Sequence, residues 1–83
     1  MTPAGRRAME AFCTALNRVK RTGFSAGQLG PEAYLGGDLG VDSVEMLEIW
    51  YDVEQLLQVH VPDDEKRGIL TLGEVIAVFE RKL

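Results

Sequence analysis

Ser43 stands in the run Gly40-Val41-Asp42-Ser43-Val44-Glu45, where its hydroxyl is well placed to do chemistry. Asp42 can cap the free amides of a helix that begins at Ser43, and Glu45 three residues later completes a capping box. A serine in the first turn of a helix faces a partial positive charge and unpaired backbone N–H groups, which favour an attached phosphate by roughly 0.3–1 kcal/mol. The glycines before it leave the approach open, so the hydroxyl should face solvent. A phosphodiester carried on Ser43 would sit in a favourable field. The plain alternative is that an Asp-Ser pair at a helix start only caps.

Other candidate groups carry less. His60 is the only histidine and has no cysteine nearby, which argues against zinc. A helix separating Ser43 from His60 would span about 25 Å, so the two cannot form a hydrolytic pair within one chain. Gly36-Gly37-Asp38-Leu39-Gly40 lacks the Gly-Lys-Ser/Thr ending of a phosphate-binding loop. Asp38 and Asp42 lack the intervening oxygen ligands of a calcium loop. Cys13 falls on an apolar stripe and reads as a small core residue. No residue is expected to be catalytic and no metal site is expected.

The elements that must position Ser43 follow from periodicity. Thr2-Pro3 opens a helix over about residues 3–21, with Met9, Phe12, Cys13, Leu16 and Val19 on one stripe and Gly23 as its stop. Residues 22–42 are too glycine-rich for regular structure, and Phe24, Leu29, Tyr34, Leu35 and Leu39 should anchor them over the helices. The next helix should run from Ser43 to about Gln58. At 100° per residue it puts Met46, Leu47, Ile49, Trp50, Val53, Leu56 and Leu57 on one broad face, and Glu45, Glu48, Asp52 and Gln55 on the other. Pro62 to Gly68 fits a short helical turn. Thr71 and Glu74 form a second capping box opening a last helix to about Lys82, whose apolar positions are Leu72, Val75, Ile76 and Phe79. The expected architecture is all-α: a small antiparallel bundle of three main helices plus one short one, forming one domain over residues 1–83. The caps at its first and last helices suggest a freestanding unit.

Composition and charge set limits. A hydrophobic fraction of 46% with 27% charged residues argues against disorder. At 83 residues the core should be small and stability marginal. No apolar run approaches the roughly 18 residues of a membrane span, and no signal peptide is evident. The single cysteine rules out an internal disulfide and suits the cytoplasm. The net charge of -4 is unevenly spread: residues 1–21 hold five bases and one acid, whereas residues 22–65 hold ten acids and no lysine or arginine. Such a field repels nucleic acid and attracts basic protein surfaces. Val44 and Tyr51 lie one heptad apart on the polar side of the second helix, framed by Glu45, Glu48 and Asp52, as a docking surface for basic partners would.

Leu39-Gly40-Val41-Asp42-Ser43-Val44 resembles the signature of acyl carrier proteins: leucine, glycine, a variable residue, aspartate, serine, then leucine or methionine. The resemblance covers about residues 35–82 through the acidic helix, the Val61-Pro62-Asp63 turn and the last helix, and the first helix in pattern only. It implies that Ser43 carries 4'-phosphopantetheine, transferred from coenzyme A by a phosphopantetheinyl transferase, with Asp42 beside it. It implies a monomeric, non-enzymatic carrier of acyl thioesters. The partners implied are acyl-loading and chain-elongating or chain-modifying enzymes of fatty-acid or polyketide type, with basic surfaces that meet Asp42, Val44, Glu45, Glu48, Tyr51 and Asp52.

Two positions depart from the pattern. Val44 replaces the common leucine, and Trp50 stands where a smaller aliphatic residue is usual, either filling space for a sheltered acyl chain or anchoring the core. Two other readings stay open. An aminoacyl or peptidyl carrier uses the same arm, although such carriers usually place two glycines directly before the aspartate or histidine and the serine. A helical interaction module would carry no prosthetic group.

Overall fold

The computed structural model describes residues 2–83. Helix α1 spans Pro3–Lys20, α2 spans Ser43–Leu57 and α3 spans Leu72–Lys82. Short 3-10 turns occupy Ala26–Gln28 and Asp63–Lys66. No strand forms among the described residues; a single bridge pairs Tyr34 with Thr71. No helix among them is long and apolar enough to cross a membrane.

Each helix starts where a side chain can satisfy its free amides. The Thr2 hydroxyl accepts from the Gly5 N–H at 2.9 Å, with Pro3 at the first helical position. Asp42 with Glu45, and Thr71 with Glu74, form complete capping boxes. The ends are less conventional. α1 stops at Arg21, not at the expected Gly23: Arg21 is left-handed at φ 55 and its N–H returns to the Asn17 carbonyl. The reason lies in Asn17, whose side chain accepts from the Phe24 N–H and donates to the Phe24 carbonyl. That clasp turns the chain before Gly23 is needed.

α1 packs against both α2 and α3. The core between them holds Phe12 and Leu16 of α1, Ile49 and Val53 of α2, Leu72, Val75 and Phe79 of α3, and Val61 from the connecting segment. Each is an expected inward position except Val61. Val78 is also buried, although the last helix's expected stripe omits it.

The long connection after α1 is more structured than its glycine content suggests, since Ala26–Gln28 winds into a turn closed by Ser25 and Gln28. Leu29 and Leu35 are buried and Leu39 packs against the core, as expected of anchors. Phe24 and Tyr34 are exposed, contrary to expectation. Both are held by their backbones: Phe24 by Asn17, and Tyr34 through a carbonyl that accepts from Asp38 and Leu39 and an N–H that donates to the Asp38 carboxylate at 2.8 Å.

Leu47 and Leu56 of α2 are also exposed, not inward. At 100° per residue Leu47 lies only about 60° from Val44 and about 40° from Tyr51, so it joins their outer stripe. Trp50 is 3% exposed and its ring meets Phe79 at 5.4 Å between centroids, tilted by 39°. Such a pair contributes about 0.5–1.5 kcal/mol beyond its area.

Candidate functional site

The start of α2 is where the loop, the helix and the end of α1 converge. Asp42 is extended at ψ 176, and its carboxylate accepts from the Glu45 N–H at 2.8 Å while Glu45 accepts from the Asp42 N–H at 3.1 Å. Gly40 before it is left-handed at φ 66, a conformation that costs a side-chain-bearing residue about 1 kcal/mol or more. Val41 is buried and donates its N–H to the Leu35 carbonyl, which holds the loop against the helix. Ser43 is exposed, and among the described residues no hydrogen bond engages its hydroxyl.

Beside Ser43 lies a cavity of about 320 Å³. Leu35, Val41, Met46, Leu47 and Trp50 line it from the loop and α2; Ile69 and Leu70 close it from the segment before α3. The lining is mostly apolar, with Asp42 and Ser43 among its polar members and Lys66 the one cation. The Lys66 ammonium lies 5.6 Å from the centre of the Trp50 ring and 3.2 Å from Glu54. Trp50 therefore serves the core through Phe79 and the cavity through its other side.

The outer face of α2 divides into two stripes. Val44, Leu47 and Tyr51, with Leu70 across the cavity, are 67%, 64%, 63% and 64% exposed. These four large apolar groups are left open to solvent. The acids form the second stripe, and α1 already engages them. Arg18 donates from Nε to Asp52 and lies 3.8 Å from Glu48. Its guanidinium is held above its ordinary pKa chiefly by the Asp52 hydrogen bond. Lys20 donates to both carboxylate oxygens of Glu45, at 3.0 and 3.1 Å.

The structure thus places Asp42, Ser43, Val44, Glu45, Glu48, Tyr51 and Asp52 along α2 from its cap to its tenth residue. Leu47, Leu70, Arg18 and Lys20 join them without having been singled out. Leu47 was expected on the inward face; its spacing from Val44 and Tyr51 was the signal that could have placed it outward. Arg18 and Lys20 were visible only as part of a basic segment, because a pairing across 34 or 25 residues leaves no local pattern.

The groups set aside stay apart from this site. Cys13 is buried, its thiol donates to the Phe24 carbonyl at 3.1 Å, and burial raises its pKa, so it is a poor nucleophile. His60 is exposed beyond the far end of α2, 3.4 Å from Glu54. Glu54, also not foreseen, is buried and accepts the Val61 N–H at 2.9 Å, tying the end of α2 to the next turn.

No family model matches the chain. It is 35% identical over 52 residues to an acyl carrier protein of Amoebophilus asiaticus, which covers 63% of this chain and 65% of that protein. It is 33% identical over 60 residues to the meromycolate extension acyl carrier protein of Mycobacterium bovis and of Mycobacterium tuberculosis, covering 72% of this chain and 52% of each relative. The matches thus span from about half to just under two thirds of these relatives' length. With the Leu39-to-Val44 signature seated at the start of an acid-lined helix in an all-helical fold, these similarities support the chain's assignment to the acyl carrier protein family.

Proposed function

We propose that this protein is a cytoplasmic, non-enzymatic carrier that holds acyl groups on a 4'-phosphopantetheine arm at Ser43. The observation that supports this best is the exposed, unengaged Ser43 hydroxyl in the first turn of α2, at the mouth of an apolar cavity. The residues present fit such a group. The α2 amides and dipole favour a phosphodiester, no side chain occupies the hydroxyl among the described residues, and the adjoining lining is apolar. The arm supplies a thiol on which an acyl group is held as a thioester.

The chain's own residues do the rest. Asp42 fixes the helix start. Leu35, Met46, Leu47, Trp50, Ile69 and Leu70 offer an apolar chain a surface out of water. Val44, Leu47 and Tyr51 present the contact stripe to a phosphopantetheinyl transferase and to acyl-loading and chain-elongating or chain-modifying enzymes of fatty-acid or polyketide type. Asp42 and Glu48 add negative charge for their basic surfaces, while Glu45 and Asp52 are paired with Lys20 and Arg18. The relatives' names place them in acyl chemistry, and that of the mycobacterial proteins in meromycolate extension.

Incubation of the apo protein with coenzyme A and a promiscuous phosphopantetheinyl transferase should add the mass of one phosphopantetheine. Ser43→Ala should add none. A wild-type mass that stays unchanged while a control carrier is modified would leave a helical interaction module as the better reading. An arm loaded with amino acids in preference to acyl groups would favour the aminoacyl-carrier alternative.

A further inference from the structure

Lys20, at the last turn of α1, reaches both sides of Ser43. Its ammonium donates to the Gly40 carbonyl at 2.8 Å, three residues before the serine, and to Glu45 Oε1 and Oε2 at 3.0 and 3.1 Å, two residues after it. The same Glu45 carboxylate closes the capping box on the Asp42 N–H. One side chain therefore fastens the loop, the helix start and the capping acid to α1. Lys20 and Glu45 are each about three-quarters covered at the side chain, which lessens solvent screening of the pair.

The charge matters as much as the tether. Attachment forms an Oγ–P bond at Ser43 and breaks the pyrophosphate of coenzyme A. Adenosine 3',5'-bisphosphate leaves, and the hydroxyl proton passes to a base of the transferase. The incoming pyrophosphate is multiply negative, and Glu45 sits in the same first turn as Ser43. Uncountered, its carboxylate opposes the helix dipole that favours the phosphate. The second capping box of the molecule has no such counter-ion: among the described residues no cation pairs with Glu74, whose carboxylate takes only N–H and hydroxyl donors from Leu70 and Thr71. A lysine on the box acid is thus not a general need of this motif. It occurs at the box beside Ser43.

We propose that Lys20 is a positioning residue for attachment at Ser43, holding the Gly40–Glu45 segment in place and cancelling the Glu45 charge that coenzyme A must approach. This rests on the carrier reading above.

The test compares transferase kinetics of wild type, Lys20→Met and Lys20→Arg, followed by intact mass at varied carrier concentration. Lys20→Met should lower kcat/KM for the carrier by about tenfold, less than the roughly hundredfold that a 1 Å misplacement of a reacting group can cost. Its Tm should stay within a few degrees of wild type, since a partly exposed ion pair adds little stability. Lys20→Arg should recover most of the rate, and Lys20→Met/Glu45→Gln should recover part of it. Lys20→Met modified within twofold of wild type would overturn the proposal. So would a slowed Lys20→Met that neither Lys20→Arg nor the double variant improves. If no protein gains mass, wild type included, the carrier reading itself has failed.

Discussion

α2 and α3 open in the same way yet stand in different surroundings. Asp42 with Glu45 and Thr71 with Glu74 are both complete capping boxes, and both helices begin with the amides and dipole that suit an anion. At α3 the approach is closed. Leu72, its first residue, is fully buried, the Leu72 N–H is taken by the Ala33 carbonyl and the Gly73 N–H by the Pro31 carbonyl. A Cβ on Gly73 would meet that carbonyl oxygen at 2.9 Å. At α2 the first residue is an exposed serine, the preceding glycines stand clear, and a cavity opens alongside. A capped helix start is a common structural device; access and the right side chain make one of these two a candidate attachment point.

The sharpest way to break this comparison is the hydroxyl itself. Ser43→Ala should abolish modification completely, with no residual mass gain through Thr71 although that hydroxyl stands at the equivalent helix start. Any gain in the variant would show that access does not separate the two sites. Next come the glycines. Gly73→Ala must push against the Pro31 backbone, and should cost about 1–3 kcal/mol, or a Tm drop of roughly 4–24 °C in a chain of this size. Gly36→Ala, whose Cβ meets nothing nearer than the Val41 carbonyl at 3.8 Å, should stay within about 0.5 kcal/mol. Smaller again are the caps. Asp42→Ala and Thr71→Ala should each lose about 1 kcal/mol in chemical denaturation, while only Asp42→Ala slows attachment at Ser43.

What the sequence disclosed and what it hid follow one physical line. Helix starts were legible because capping is local: Thr2, Asp42 and Thr71 each act within three residues. The inward stripes of α1 and α3 were legible because their apolar spacing is regular. α2 was misjudged at Leu47 and Leu56, since a helix with apolar residues on two faces offers no single stripe to count. Gly23 was misjudged because the stop of α1 depends on Asn17 clasping Phe24, a side-chain choice no glycine pattern reveals. At the site, Ser43 and its acidic neighbours could be named from their types, but Arg18 and Lys20 engage them only after α1 and α2 pack. Trp50 drew two readings, core anchor or cavity filler, and its position against both Phe79 and the cavity lining shows why neither excludes the other.

The last difference between the two boxes lies in how their acids are satisfied, and pH reads it. Glu74 is held below its ordinary value of 4.5 by the Leu70 and Thr71 N–H groups first and the Thr71 hydroxyl next. A carboxylate depressed in the folded state adds stability that is fully present above the unfolded value and is lost as pH falls through the folded one. Wild type should therefore surrender this increment below about pH 4.5. Glu74→Gln keeps an acceptor oxygen but carries no titrating charge. Its Tm should lie slightly below wild type at neutral pH, and the gap should narrow as the solution is acidified. A gap that stays constant from pH 7 to pH 3 would mean that the box at α3 works by shape alone. The two helix starts would still differ in access and in the pairing of Glu45 with Lys20.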